Sequence, residues 1–185
     1  MYTLESLKEI ISDCHRCNLH KKRINMVFGQ GKNNADILFI GEGPGYQEDQ
    51  SGIAFIGPAG QLLTKAIEGI GFNRDEVYIA NIVKCRPPNN RNPIKEEMDA
   101  CIDYLRWQVK IINPKIIVCL GSIASKNIID ENIRITKDRG KFTRRKGIWL
   151  LPTFHPSAVL RDETKKNPFW NDFKLLKKKY EEIKG

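Results

Sequence analysis

The sequence predicts an α/β fold: four short strands alternating with helices, forming a parallel sheet with helical layers on both faces. Three observations lead there. Apolar runs too short for helices recur along the chain, as in ADILFIGEG (35–43) and KIIVCLG (115–121). The segments between them carry apolar residues at helical spacing. Three of the four strands end in glycine-, proline- or histidine-containing segments, GEGPG, NIVKCRPPNNR and FHPSAVLR. In open parallel sheets the active site lies beyond the carboxyl ends of the strands. A length of 185 residues with 41% hydrophobic content fits one domain, 1–185, with one sizeable core.

Taken in order, a first helix is predicted over Leu4 to Ile11, followed by the turn Cys14-x-x-Cys17. Residues 35–43 form the first strand, leading into an irregular loop. Gly60 to Ile70 has helical spacing, with Leu62, Leu63, Ala66, Ile67 and Ile70 on one face. EVYIANIV (76–83) is the second strand, and CRPPNNRNP (85–93) a proline-rich loop. A long helix runs from Ile94 to about Ile112, where Asn113-Pro114 stops it. Residues 115–121 are the third strand and 122–129 a helix. GIWLLPTFHPS (147–157) is a fourth strand running into a turn, and a basic helix closes the chain from about Asn167 to Ile183.

The net charge of +9 is grouped as KKR at 21–23, RPPNNR at 86–91, RGKFTRRK at 139–146 and KK at 165–166. Solubility alone accounts for an excess of this size; folding these groups onto one face would also make a phosphate-binding surface. No run approaches a membrane-spanning length, and MYTLESLKEIISDC lacks the basic and apolar regions of a secretory leader. The expected location is therefore cytoplasmic, with the nucleoid as the site of action. The odd cysteine count argues against a disulfide framework. Cys119, inside an apolar strand, reads as a buried thiol.

Four features could carry chemistry. GEGPGYQED (41–49) fits neither a dinucleotide fingerprint nor a P-loop. It is either a tight strand exit or a place where another molecule approaches the backbone, with Glu42, Glu48 and Asp49 beside it suiting water activation or reading of a neutral group. His155, at a strand's carboxyl end, is either a structural histidine or a site residue. Asn81 sits in an otherwise apolar strand, where a buried amide must brace a loop or read a ligand. Cys14, Cys17, Cys85 and Cys101 could form a four-thiolate set, for which spacing leaves zinc and an iron–sulfur cluster both open.

In order, GEGPGYQED, SGIAFIGPAGQLL (51–63), VYIANIVKCRPPNNRNP (77–93), LGSIAS (120–125) and HPSAVLR (155–161) resemble the family 4, iron–sulfur uracil-DNA glycosylases from the first cysteine pair to Arg161. The resemblance implies a three-layer α/β/α fold with a four-stranded parallel sheet. It also implies a [4Fe–4S] cluster on Cys14, Cys17, Cys85 and Cys101, and a uracil pocket on Glu42, Glu48, Phe55, Asn81 and His155. The expected partner is uracil-containing DNA, single- or double-stranded, with a sliding clamp as a candidate second partner. The protein is expected to act as a monomer without a membrane.

Physical roles follow for these residues. A target base must be flipped from the duplex into a pocket, where Phe55 offers a stacking face and Asn81 matches the carbonyl and N–H of the uracil edge. A side chain filling the space beside C5 bars thymine, and the resemblance implies that Glu48 is that side chain. Uracil departs as an anion, which His155 stabilises by donating to O2; Glu42 positions the attacking water, with Asn90 as a second anchor. Arg86 and Arg91 face phosphates, and Ser157, Leu160 and Arg161 meet DNA, Leu160 as a wedge. A product-trapping relative would carry a KRRIH insertion, absent here; family 5 enzymes lack the acid found at Glu42; a zinc-held binding module would release no base.

Overall fold

In the computed structural model, which describes residues 3–185, the strands sort their side chains by parity. β2 (Ile37–Gly41) sends Leu38 and Ile40 into one core and Ile37 and Phe39 into the other. β4 (Ile116–Leu120) does the same with Ile117 and Cys119 against Ile116, Val118 and Leu120. A strand buried on both faces reads as a continuous apolar run because each face has its own helical layer. The first layer contains α1 (Leu4–Ile11), α4 (Lys95–Ile112) and α5 (Gly121–Ile128). The second contains α3 (Pro58–Gly69), α7 (Pro156–Arg161) and α8 (Lys166–Lys184).

The sheet has six strands, in the order β1-β3-β2-β4-β6-β5. β3 (Tyr78–Asn81), β2, β4 and β6 (Ile148–Thr153) are mutually parallel, and these are the strands the sequence predicts. The expected four-stranded sheet is corrected by two short antiparallel edges, β1 (Gln30–Gly31) on β3 and β5 (Thr143–Arg145) on β6. Neither edge carries an apolar run, β5 being fully exposed Thr-Arg-Arg, so hydrophobic patterning could not reveal them. The β5–β6 reversal is a two-residue loop, Lys146-Gly147, with φ of 48° and 85°. Such doubly positive loops match the twist of the strands they join.

Helix boundaries follow local chemistry. Glu97 reaches back to accept the Ile94 N–H at 3.0 Å at the start of α4, and Asn113, at φ 52°, ends it before Pro114. Two further corrections concern short helices: α2 (Tyr46–Ser51) stands where a loop was expected, and α7 where a turn was expected. Each has six residues, too few to show a helical period. α6 (Ile135–Asp138) is likewise a single turn. Among the described residues no helix is long and apolar enough to cross a membrane.

Candidate active site

The exits of β2, β3, β4 and β6 converge on a cleft of about 560 Å³. Glu42, Glu48, Phe55, Asn81, Asn90, Arg91, His155, Ser157 and Arg161 all line it, so most of the residues singled out from sequence meet here. Leu160 stands beyond, 53% exposed on α7.

Its floor depends on a close approach. A Cβ on Gly41 would lie 2.5 Å from both Asn81 Oδ1 and the Phe55 ring, so a side chain at the end of β2 would expel both. Phe55 itself has φ 52°, a strained conformation for a non-glycine residue. Arg74 holds it there, donating from Nη2 to the Ala54 and Phe55 carbonyls at 2.7 and 2.9 Å. Glu48 supports the same loop, its Oε1 accepting the Ile56 and Gly57 N–H groups at 2.9 and 2.8 Å. The neighbouring acid, Asp49, is buried and accepts the Ile24 N–H at 2.9 Å; it braces the chain outside the cleft.

Asn81 is 1% exposed, and its Oδ1 has no hydrogen-bond partner among the described residues. A buried amide oxygen left unpaired costs roughly 1–3 kcal/mol. Asn81 lines the cleft, so a ligand N–H is a candidate partner for this oxygen.

The β6 exit presents His155, partly open to the cleft, as the N-cap of α7. The Ser157 N–H donates to Nδ1 at 3.1 Å, and the Ser157 hydroxyl lies 2.7 Å from the same nitrogen. With Nδ1 accepting, the neutral ring carries its proton on Nε2, as a donor. Enclosure of the ring, and then the nearby Arg161 charge, push its pKa down to about 4, so it is neutral near pH 7. Glu42 is shifted the other way: partial burial raises its pKa, while Arg161 opposes the rise. The arrangement therefore offers a neutral hydrogen-bond donor opposite a carboxyl of raised basicity.

Arg86 and Arg91 are less free than the sequence suggests. Arg91 makes a two-bond pair with buried Glu97, at 2.9 and 2.7 Å. Arg86 Nε donates to Asn90 Oδ1 at 2.7 Å, which occupies the oxygen of that amide. The basic run 139–146 lies by the β5 edge. There Arg139 pairs with buried Asp172, Arg145 donates to the Ile129 carbonyl and Arg144 lies over the Trp149 ring.

A second cavity lies in the first helical layer, and Cys14, Cys17, Cys85 and Cys101 all line it. They come from the turn after α1, the β3 exit and the first half of α4. Tyr104 donates to Cys14 Sγ at 3.2 Å and Arg23 to Cys85 Sγ at 3.3 Å, both contacts that favour sulfur carrying negative charge. Burial raises the Cys85 pKa, and it raises that of Cys101 to about 11, so without a metal these thiols stay protonated. Among the described residues no three His, Cys, Asp or Glu side chains close around a single ion. The four thiols ring a cavity instead, and this donor set fits an iron–sulfur cluster. Cys119 is fully buried in β4, away from this group.

Between the two cavities lies Lys84, 1% exposed, a residue that sequence reasoning passed over. Its ammonium donates to the Asn81 carbonyl at 2.9 Å and to the Gln108 side chain, and it lines the cysteine cavity. The available signal was a lysine inside the apolar stretch NIVKC. Arg74 gave no such signal, since its role depends on contacts made through the fold.

A cleft at the carboxyl ends of a parallel sheet, lined by a buried amide, an aromatic ring and a neutral histidine, has the make-up of a small-molecule or nucleobase pocket in an α/β protein. Sequence comparison narrows the class: the chain belongs to the uracil DNA glycosylase superfamily, whose family profile matches residues 28–174. Within it the chain stands with the type-4 uracil-DNA glycosylases. It is 47% identical over 170 residues to that of Thermotoga maritima, covering 89% of this chain and 88% of the relative. Identity is 45% over 186 residues with that of Sulfurisphaera tokodaii (96% and 84% covered) and 42% over 184 with that of Archaeoglobus fulgidus (94% and 92%).

Proposed function

We propose that this chain performs the reaction of its family, flipping uracil out of DNA and hydrolysing its glycosidic bond to leave an abasic site for repair. The observation that carries the reading is the unpaired Asn81 Oδ1. Uracil N3–H donates to that oxygen, and the amide nitrogen donates to O4; cytosine presents the opposite pattern at these positions. Phe55 stacks on the base. Glu48, fixed by two backbone N–H groups, occupies the side where thymine carries its methyl group.

Bond cleavage leaves negative charge on the uracil ring. His155 donates from Nε2 to O2 as that charge develops, and Ser157 holds the ring in the tautomer that makes this possible. A neutral donor gives up no proton, so the base leaves as an anion. Glu42 positions the water that attacks the sugar, with the Asn90 amide nitrogen as a second contact. Leu160 and Arg161 meet DNA beside the flipped nucleotide, where exposed Leu160 fills the vacated space.

Cys14, Cys17, Cys85 and Cys101 hold a [4Fe–4S] cluster. When bound, the cluster would supply cross-linking between the turn after α1, the β3 exit and α4, and would thereby brace the segment that follows Asn81. The substrate is uracil-containing DNA, single- or double-stranded, and the chain acts as a monomer at the nucleoid. A sliding clamp is a further candidate partner.

Incubating purified protein with uracil-containing DNA and assaying for free uracil and alkali-labile abasic sites tests the reading. Release of uracil, with no release from thymine- or cytosine-containing controls, is the expected result. Absence of product from iron-loaded protein would refute it.

A further inference from the structure

The rim of the cleft carries an aromatic residue that the roles above leave unused. Tyr46 opens α2 at the β2 exit, lines the cleft and is 57% exposed. The guanidinium carbon of Arg86 lies 5.0 Å from the Tyr46 ring centroid, within cation–π range. Arg86 is held over the ring by its Nε bond to Asn90, whose backbone is left-handed at φ 54°. The ring thus has a cation at one side while the residue as a whole stays 57% exposed. The terminal nitrogens of Arg86 take no hydrogen-bond partner among the described residues.

From this geometry we infer that Tyr46 and Arg86 form a stacking shelf for the nucleobase adjacent to the uracil on the same DNA strand. An open aromatic face accepts any base, because every base presents a π surface, and such stacking is insensitive to sequence. The free nitrogens of Arg86 point to the accompanying phosphate, giving one nucleotide two contacts on one rigid pair. A phosphate alone would not account for an exposed aromatic ring within cation–π distance of the guanidinium.

Sheet order places this shelf opposite the wedge. Tyr46 and Arg86 leave the neighbouring strands β2 and β3, whereas Leu160 follows β6, on the far side of β4. The two rims therefore meet different parts of the substrate. A wedge fills a gap in a base stack, which a single strand does not present. A shelf for the same strand serves single- and double-stranded DNA alike. The inference rests on the cleft being the uracil site.

The test compares iron-loaded wild type, Tyr46→Ala, Tyr46→Phe and Leu160→Ala in single-turnover assays on single- and double-stranded uracil DNA. Tyr46→Ala is expected to raise the half-saturating protein concentration about tenfold on both substrates, with most of the effect there and not in the saturated rate. Tyr46→Phe, which keeps the ring, restores affinity, and Leu160→Ala weakens only the double-stranded case. A 2-aminopurine beside the uracil should lose fluorescence on binding wild type and keep it with Tyr46→Ala. Full affinity of Tyr46→Ala for single strands, a Tyr46→Phe defect equal to that of alanine, or unchanged quenching in Tyr46→Ala would overturn the shelf. A wild type that released no uracil would refute the reading of the cleft, while the fluorescence measurement would still decide the shelf.

Discussion

Phe55 and His155 meet across the floor of the cleft with ring centroids 5.7 Å apart and planes inclined by 36°. A base sandwiched between two rings needs them about 7 Å apart, twice an ordinary carbon contact. In the proposed reading a base would therefore lie against Phe55 and turn its edge to His155, which would separate the stacking residue from the hydrogen-bond donor.

Replacing the donor tests that separation. His155→Ala is expected to slow single-turnover base release by on the order of 10²-fold or more, with little change in DNA affinity, since the bond strengthens only as charge develops. His155→Gln, which retains an N–H donor, should fall between. A folded alanine variant with near-normal single-turnover rates would show that the role belongs elsewhere.

The same histidine sets a pH dependence. Its pKa is about 4 in the fold and near 6.5 in an unfolded chain. Between these values the unfolded state binds more protons, so this contribution to stability is present above about pH 6.5 and is lost as pH falls toward 4. Thermal melts from pH 7.5 to 4.5 should show a decline that is shallower in His155→Gln. Base release, using the neutral ring, should lack a His155 inflection between pH 5 and 8. A rate titration near 6.5 that vanished in His155→Gln would contradict the assigned state.

Asn81→Asp exchanges the amide donor for a second acceptor facing uracil O4. Uracil excision is expected to fall at least 10²-fold, and the preference for uracil over cytosine should narrow. Parallel single-turnover assays on both bases measure the ratio. A ratio equal to wild type would remove Asn81 from base reading.

Arg74→Met removes the charged donors that keep Phe55 at φ 52°. The expected cost is about 1.5–3 kcal/mol of stability, the range for hydrogen bonds to a charged group, with a higher KM for uracil DNA. Chemical denaturation and steady-state kinetics check the two effects. A loss of stability with unaltered KM would mean that the Phe55 conformation does not serve the base.

Iron content tests the second cavity. Protein purified without oxidation is expected to carry about four irons per chain, and Cys101→Ala to lose them together with thermal stability. Stoichiometric zinc without iron would refute the cluster.

Much of this architecture was legible because burial writes itself into apolar runs. The helix expected over Leu4 to Ile11 has those bounds, and the four parallel strands lie within their expected segments. The edge strand at Thr143–Arg145 and the six-residue helices did not show, since exposed or very short elements have no hydrophobic period to display. In the site, Asn81 and His155 were conspicuous as polar residues at the ends of apolar strands. The strut from Arg74 to Phe55, the Arg86–Tyr46 pair and the Lys84–Gln108 contact join residues distant in sequence or unremarkable by composition, and only folding brings them together.

Lys84 also constrains how this lineage could change. Its ammonium has two neutral oxygen acceptors and, among the described residues, no carboxylate within ion-pair distance; burial pushes its pKa down to about 8, a shift that negative charge on the Cys101 sulfur would oppose. A descendant that exchanged its four cysteines for apolar residues would remove the one charge that favours the ammonium and push Lys84 further toward the neutral amine. A neutral residue at 84 would release the Asn81 carbonyl. Change among the cysteines is thereby coupled, through the Lys84 bond to the Asn81 carbonyl, to a residue that lines the cleft.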